Sequence, residues 1–123
     1  MSTTEQQRHR FVGALNNMDA AWMRFLQDRD VLDINYSDLY TGLWLASKPV
    51  RKQEALQYMR HLSPQTAKKY LDKAIAKGHL IEVPDPSDKR AKLIELELGF
   101  RQRLEQFLDH AIGLFDEALA PSE

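Results

Sequence analysis

The sequence predicts a mainly α-helical fold with one small β-hairpin, an α+β arrangement. A short basic helix with a defined start and stop occupies residues 63–77, and two apolar strand patterns around a charged turn follow it directly. Long amphipathic helix patterns lie before and after this region. A helix, a strand, a charged turn and a returning strand in this order predict a winged helix–turn–helix with a long helix at each end.

Length and composition predict one globular domain that spans residues 1–123. Apolar residues make up 43% of the chain and charged residues 28%, which is typical of a folded rather than a disordered chain. No apolar run approaches the roughly 18 residues that a membrane span needs, and no secretory signal is predicted. The chain contains no cysteine, which excludes disulfides and thiolate sites and favours a cytoplasmic protein.

The net charge of −1 hides an uneven distribution along the chain. Residues 48–90 contain ten basic and five acidic side chains. Residues 1–47 contain four basic and six acidic ones, and residues 91–123 contain three basic and seven acidic ones. A polyanion is therefore expected to be attracted to the middle of the chain and repelled by its ends. Such a division can also arise by chance in a soluble domain.

Apolar periodicity predicts the helices on both sides of the basic region. The first helix covers about residues 5–28, and the last covers about residues 100–119. Both apolar stripes are wider than one neighbouring helix needs. Between them, a connector is expected from Asp28 to Tyr36, followed by a short helix from an N-cap at Ser37 to about Ser47. A third helix is expected at residues 51–59, because Pro49 forbids a regular helix across Lys48.

The basic helix at residues 63–77 has clear start and stop signals. Ser63 is a favourable N-cap, and Pro64 fits the first helical position because its missing N–H has no helical partner there. Gly78 suits the left-handed stop that follows. The third helix, a three-residue turn and this helix together form a helix–turn–helix pattern. The inward face is expected to contain Ala67, Tyr70, Leu71, Ala74 and Ile75.

The wing is expected at residues 79–98, within a winged unit of residues 37–98. A strand at 79–83 leads into a turn at 84–88, where Asp85 and Asp88 are expected to be solvated. The returning strand at 91–98 alternates, with Ile94, Leu96 and Leu98 on its covered face. Gly99 is expected to break this pattern before the last helix.

Several of these segments resemble the MarR family (multiple-antibiotic-resistance regulators) of bacterial transcription factors. The run from Asp88 to Leu96 matches the family pattern Asp, any, Arg, three of any, Leu, any, Leu, with Ile94 in place of the first Leu. The segment from Leu62 to Thr66, followed by Asp72 and Lys77-Gly78, resembles the family's recognition helix and its exit. The resemblance covers about residues 34–119. It departs from the family at residues 97–99, where the turn is one residue shorter.

The resemblance implies a homodimer in which the first and last helices of two chains interleave. Each chain would carry one winged unit, and two-fold symmetry predicts an inverted-repeat operator with half-sites about one helical turn apart. A repressor is expected. The helix faces assigned to the dimer contain Phe11, Leu15, Met18, Phe107, Ala111 and Phe115.

Candidate DNA contacts lie in the helix–turn–helix and the wing. Gln65 suits a paired contact to adenine, and Thr66 suits a hydrogen bond or a thymine methyl contact. Arg90 is expected in the minor groove beside the wing, and the resemblance implies that Asp88 orients it. The complete set is Arg51, Lys52, Ser63, Pro64, Gln65, Thr66, Lys68, Lys69, Lys73, Asp88, Lys89 and Arg90. Simpler interpretations stay open: Lys68 and Lys69 as ordinary solvated helix formers, and Asp88 and Arg90 as residues that fix a tight turn.

Many family members are released from DNA by small aromatic acids, so the resemblance also implies a ligand site. Its candidate lining is Trp22, Phe25, Tyr36, Tyr40 and Trp44. Aromatic residues at helical spacing are more often part of the core, and that alternative stays open. No cofactor is expected. The four histidines show no metal-ligand spacing.

An enzyme is not expected, because the sequence has no phosphate-binding Gly loop, no Gly-x-Ser-x-Gly and no His-Glu-x-x-His. The main alternative is a winged-helix module that binds another protein, as an adaptor or an antagonist of a regulator. The polar and basic helix at 63–77 disfavours it, because protein-binding helices more often expose apolar anchors.

Overall fold

The computed structural model describes residues 4–121 and confirms the predicted fold class. These residues form five helices and three short strands, which divide into two compact units. The helical unit contains described residues 4–31 and 103–121, and the winged unit contains residues 32–102. The elements are α1 (Glu5–Asp28), α2 (Ile34–Ala46), β1 (Val50–Arg51), α3 (Lys52–Tyr58), α4 (Pro64–Ala76), β2 (Leu80–Asp85), β3 (Asp88–Leu96) and α5 (Leu98–Leu119).

The helical unit is formed by α1 and the later part of α5, which run antiparallel. Phe11 packs on Phe115 with ring centroids 5.3 Å apart, and Trp22 packs on Phe107 at 4.8 Å. Thr4 is the N-cap of α1, and its hydroxyl accepts a hydrogen bond from the Gln7 N–H at 3.1 Å. The Gln7 side chain accepts one in return from the Thr4 N–H at 2.8 Å, which completes a capping box.

The winged unit is formed by α2, α3, α4 and a small antiparallel sheet with strand order β1-β3-β2. Leu80 of β2 pairs with Leu96 of β3, and Val50 of β1 pairs with Ile94. Pro84 is tolerated because β2 is an edge strand. The buried apolar side chains of this unit are Tyr36, Leu39, Tyr40, Leu43, Val50, Ala55, Met59, Ala67, Leu71, Ala74, Leu80, Ile94, Leu96 and Phe100.

The predicted start of α2 is wrong. The helix begins at Ile34, and Asp33 rather than Ser37 is its N-cap, so the expected connector is several residues shorter. The Asp33 carboxylate accepts a hydrogen bond from the Asn35 N–H at 2.8 Å. Ser37 lies inside the helix, with its own N–H bonded to the carbonyl of Asp33. Asp is as favourable a cap as Ser, and four more residues, 34–37, join the helix when it is used.

The wing differs from its prediction at both ends. The two-residue strand β1 was not predicted, and Arg51 belongs to it rather than to the third helix. Strand β2 extends to Asp85, and β3 begins at Asp88, so that only Pro86 and Ser87 remain as the turn. Ile94 and Leu96 are buried as predicted, but Leu98 is 66% exposed because it already belongs to α5.

Helix α5 begins at Leu98, two residues before its predicted start, and Gly99 lies inside it. Glu97 precedes the helix, and its carboxylate accepts hydrogen bonds from the N–H groups of Gly99 at 2.8 Å and Phe100 at 2.9 Å. These bonds, that of Gly99 above all, lower the pKa of Glu97, and the charge of His79 also contributes. The short turn at residues 97–99 is therefore closed by a side-chain cap.

Replacing Glu97 by glutamine is expected to lower the thermal stability at pH 7, because the amide loses the charge that favours the helix N-terminus. The folded-state pKa of Glu97 is depressed, so its contribution is present above the ordinary Glu pKa and is lost as pH falls through the folded value. Melting curves of the wild type and Glu97→Gln should converge on acidification. A difference that stays constant with pH would contradict a role for the charge.

No helix among residues 4–121 is long and apolar enough to cross a membrane.

Candidate nucleic-acid interface

The start of α4 is fixed by Ser63, as the sequence predicted. The Ser63 hydroxyl accepts a hydrogen bond from the Thr66 N–H at 3.3 Å and lies 3.1 Å from the Thr66 hydroxyl oxygen, to which it donates. Pro64 occupies the first turn. Because Thr66 acts as the acceptor in the hydroxyl pair, its own O–H hydrogen stays available for another acceptor.

The two sides of α4 differ sharply in polarity. Ala67, Leu71 and Ala74 are buried, and Tyr70 and Ile75 are half-buried at the two edges of this face, which confirms the predicted inward side. The exposed arc contains Pro64, Gln65, Thr66, Lys68, Lys69, Asp72, Lys73 and Ala76. A face of this composition offers hydrogen-bond donors and positive charge, without a large apolar anchor.

The lysines on this arc are not equivalent. The Lys68 ammonium lies 3.3 Å from the Asp72 carboxylate, one helical turn further on, and forms an ion pair with it. The side chains of Lys69 and Lys73 form no hydrogen bond or ion pair with any residue in the described range 4–121. Lys69 and Lys73 therefore need not release an internal partner before they contact an anion.

Replacing Asp72 by asparagine is expected to increase the affinity for duplex DNA about three- to tenfold and to steepen its salt dependence. The change removes a negative charge from the exposed arc and releases Lys68 for phosphate. Affinities measured at several salt concentrations would test this. Asp109→Asn, the same charge change on α5, serves as the control and should have little effect. Unchanged binding by Asp72→Asn would show that Lys68 does not contact phosphate.

The tip of the wing is closed by Asp85, whose predicted solvation is wrong. Asp85 is only 7% exposed, and its carboxylate accepts hydrogen bonds from the N–H of Ser87 at 2.9 Å and its hydroxyl at 2.8 Å. These bonds lower the pKa of Asp85, and the positive charge of Arg51 adds to the effect. The Asp-Pro-Ser sequence was a local signal for this turn.

Arg90 projects from the wing into solvent. Its side chain is 96% exposed, and its guanidinium Nε lies 3.9 Å from the Asp88 carboxylate. The same carboxylate oxygen accepts a hydrogen bond from the Arg90 backbone N–H at 3.0 Å. Asp88 thus contacts both the backbone and the side chain of Arg90, while Lys89 between them is exposed.

A polar groove at the base of the wing brings four predicted DNA contacts together, Arg51, Lys52, Asp88 and Arg90. Its lining consists of Arg51, Lys52, Gln53, Glu82, Asp88, Arg90, Ala91 and Lys92. The Lys52 ammonium is paired with the Glu82 carboxylate at 3.2 Å. Gln53 and Lys92 were not among the predicted contacts. Lys92 shares its strand with Arg90, two residues away, which was the only sequence signal for its position.

The predicted aromatic ligand residues are distributed over both units. In the helical unit, Trp22 stacks on Phe25 at 5.4 Å. Phe25 borders a groove lined by Ala21, Arg24, Phe25, Asp28, Arg29, Arg103, Gln106 and Phe107. The Arg29 guanidinium lies 3.9 Å above the Phe25 ring. Burial and the charge of Arg103 lower the pKa of Arg29, and Asp28 opposes them.

In the winged unit, Tyr36 and Tyr40 are buried and Trp44 is half-buried. The Tyr40 hydroxyl lies 2.8 Å from His79 Nδ1, and burial raises the pKa of Tyr40 far above its ordinary value. Both tyrosines therefore contribute to the core of this unit. A ligand site at these five aromatic residues stays a prediction.

Within the described residues, no group of three or more His, Asp and Glu side chains is placed to hold a metal ion.

The structure is similar to solved transcriptional regulators at low sequence identity. A transcriptional regulator from Thermotoga maritima superposes with a TM-score of 0.64 at 17% identity, over 95% of this chain and 83% of that one. A mutant MarR from E. coli in complex with operator DNA has a TM-score of 0.56 at 21% identity, over 88% and 76%. A MarR family regulator from Streptomyces coelicolor, in complex with DNA, has a TM-score of 0.55 at 18% identity, over 97% and 76%.

No protein-family model matches the sequence, and no curated protein matches it significantly. The likeness to solved structures shows that the chain has the MarR-type winged helix–turn–helix fold.

Proposed function

We propose that this protein is a DNA-binding transcriptional regulator that reads duplex DNA with α4 and the wing. The observation that carries the proposal is the exposed arc of α4, which is polar except for Pro64 and Ala76 and includes the side chains of Lys69 and Lys73, neither of which has a partner among residues 4–121. A recognition helix in the major groove reads base edges through such side chains, and Gln65 and Thr66 lie in its first turn, where base contacts concentrate.

The wing supplies the second contact. Arg90 is almost fully exposed and is held at its backbone by Asp88, so that its guanidinium can enter the minor groove of a duplex. Two basic residues of the groove at the wing base, Arg51 and Lys52, would contact the flanking phosphates, which fix position without reading sequence. Ser63 and Pro64 set the start of α4, and Lys68 and Lys89 add charge beside the reading residues.

The similar structures support the same function. The E. coli MarR mutant was solved with operator DNA, and the Streptomyces coelicolor regulator was solved with DNA. The present chain shares their fold and covers 76% of each of those chains.

The helical unit is proposed to form a homodimer. Phe11, Val12, Met23, Ile112 and Leu119 are each between 42% and 58% exposed, which is unusual for a group of large apolar residues on two packed helices. Leu15, Met18, Phe107, Ala111 and Phe115 are half-buried beside them. A second chain would cover this surface, and a two-fold dimer would bind an inverted repeat as a repressor.

The groove beside Phe25 supports release by a small aromatic acid. Its lining contains three arginines, Arg24, Arg29 and Arg103, and one carboxylate, Asp28. An anion bound there would relieve the repulsion between Arg29 and Arg103. An aromatic ring bound in the same groove would pack against Phe25 and Phe107. The expected effector therefore combines a ring with a carboxylate.

Selection of bound sequences from a pool of random duplexes tests the proposal. Wild-type protein should enrich one sequence with two-fold symmetry and half-sites about one helical turn apart. A variant with Gln65 and Lys69 both replaced by alanine is the matched control, because both side chains are exposed and the helix keeps its cap and its buried face. The variant should not enrich the same sequence.

The outcomes separate the two functions that the sequence left open. Enrichment of a symmetric site by the wild type alone supports a specific regulator. Weak, salt-sensitive binding without enrichment would limit the protein to non-specific DNA binding. No binding to any duplex at low salt would favour the winged-helix module that binds another protein.

A further inference from the structure

We infer that a hydrogen bond between Tyr70 and Asp33 sets the rotation of α4 about its own axis and thereby determines which side chains face DNA. The Tyr70 hydroxyl donates to the Asp33 carboxylate at 2.8 Å, across 37 positions of sequence. This inference rests on the proposed function, because it concerns the discrimination between DNA sequences by the same helix.

The buried face of α4 offers little to fix that rotation by packing. Two of its three fully buried residues are alanines, Ala67 and Ala74, and Leu71 is the only large one. Apolar contact is not directional, and small side chains form shallow ridges that resist rotation weakly. A hydrogen bond, in contrast, weakens steeply when its angle changes.

Tyr70 is well placed to act as the directional contact. At 3.6 residues per turn it lies at the edge of the buried face, next to Thr66 one turn earlier and Lys73 one turn later. A rotation of α4 that moved the Tyr70 hydroxyl away from Asp33 would carry Thr66 and Lys73 with it. The ring of Tyr70 also packs on Tyr36 with centroids 4.8 Å apart, which limits its own movement.

The acceptor is itself rigid. One oxygen of the Asp33 carboxylate accepts hydrogen bonds from the Asn35 N–H and the Asn35 side-chain amide, each at 2.8 Å, and the other oxygen accepts from Tyr70. Asp33 caps α2, and the next residue but one, Asn35, is only 9% exposed. The bond to Asp33 raises the pKa of Tyr70, and burial adds to the effect. The hydrogen bond from Tyr70 therefore fixes the orientation of α4 relative to the capped end of α2.

The variant Tyr70→Phe removes the hydroxyl and retains the ring that packs on Tyr36. Binding is measured to the operator obtained by selection and to a scrambled duplex of equal length, each at several salt concentrations. Tyr70→Phe should lower the ratio of the two affinities roughly tenfold, the size expected from one hydrogen bond to a charged group. The salt slope should not change, because no phosphate contact is removed.

Tyr58→Phe is the matched control, because the Tyr58 hydroxyl makes no hydrogen bond with residues 4–121. It should leave the affinity ratio unchanged. A general loss of stability in Tyr70→Phe would reduce the active fraction for both duplexes equally and would not move the ratio. An unchanged ratio, or an equal loss on both duplexes, overturns the inference.

A second variant tests whether the two residues act as a pair. Asp33→Asn keeps a good N-cap for α2 and changes the acceptor of Tyr70. If the residues act through their shared bond, the double variant should lose no more discrimination than Tyr70→Phe alone. Additive losses would contradict the inference. A wild-type protein that does not distinguish the selected operator from the scrambled duplex would instead contradict the proposed function.

Discussion

Replacing Arg90 by alanine is expected to weaken operator binding by about 1–3 kcal/mol per wing. The slope of log affinity against log salt concentration should also fall by about one for each phosphate that Arg90 neutralises in the wild-type complex. The Arg90 side chain is 96% exposed, so its removal leaves no cavity and no buried partner. The effect should therefore appear in DNA binding and not in stability. Fluorescence anisotropy at several salt concentrations, with melting curves in parallel, measures both.

Lys48→Ala provides the control for this prediction. Lys48 is also an exposed basic residue of the winged unit, and it lies between α2 and β1, outside the groove at the wing base. Its replacement removes the same charge and should change affinity and slope only slightly. Equal effects of Arg90→Ala and Lys48→Ala would mean that only general charge matters. Unchanged binding by both variants would show that Arg90 does not contact DNA and only helps to fix the turn of the wing.

Replacing Leu71 by alanine is expected to lower the free energy of unfolding by about 2–5 kcal/mol. Leu71 is 1% exposed and is the one large side chain of α4 that is fully buried. Its truncation leaves a cavity between two alanine positions that cannot fill it. Urea unfolding followed by circular dichroism at fixed protein concentration measures the change, because association would otherwise shift the midpoint.

Leu71→Met is the companion variant, because it keeps the volume and the apolar character. It should cost less than about 1.5 kcal/mol. A decrease below about 1 kcal/mol for Leu71→Ala would show that the neighbouring helices close over the site. A lower slope of free energy against urea would indicate instead that the folded state has become less compact.

Local signals in the sequence were sufficient for α1, α4 and most of the wing. The start of α4 depends on two adjacent residues, Ser63 and Pro64, and the Ser63 cap reaches only as far as Thr66. The buried face of α4 follows from the helical period of 3.6 residues. The start of α2 did not follow from the sequence although Asp33 is a good cap, because Ser37 offers an equal signal a turn later. Sequence alone has no means to rank two such caps, since the choice depends on what packs on the added turn.

Strand β1 was not predicted, because its formation also depends on a neighbouring element of the folded chain. Two residues are too few for a periodic pattern, and Val50 and Arg51 form a strand only because β3 presents an edge to them. Gly42 likewise has no sequence explanation. In the structure, a methyl group at this position would lie 2.6 Å from Cγ of Tyr58, so glycine permits the close approach of α2 and α3.

The order of the elements, the polar arc of α4 and the position of Arg90 on the wing all follow from the amino-acid sequence. These features depend on residues within one or two turns of each other, where spacing and residue type decide the outcome. The pairing of Tyr70 with Asp33 and that of Lys52 with Glu82 emerge only in the folded chain. Their partners are about 30 or more positions apart, and contacts of this kind leave no period or motif in the chain.

The burial of Asp85 also emerges only in the folded chain. A carboxylate near a turn is ordinarily solvated, which is why its position was predicted wrongly. In the structure this carboxylate closes the turn itself, through its hydrogen bonds to the N–H and hydroxyl of Ser87. Residue type places a charge at the wing tip, but only the path of the backbone decides whether that charge points to solvent or back to the turn.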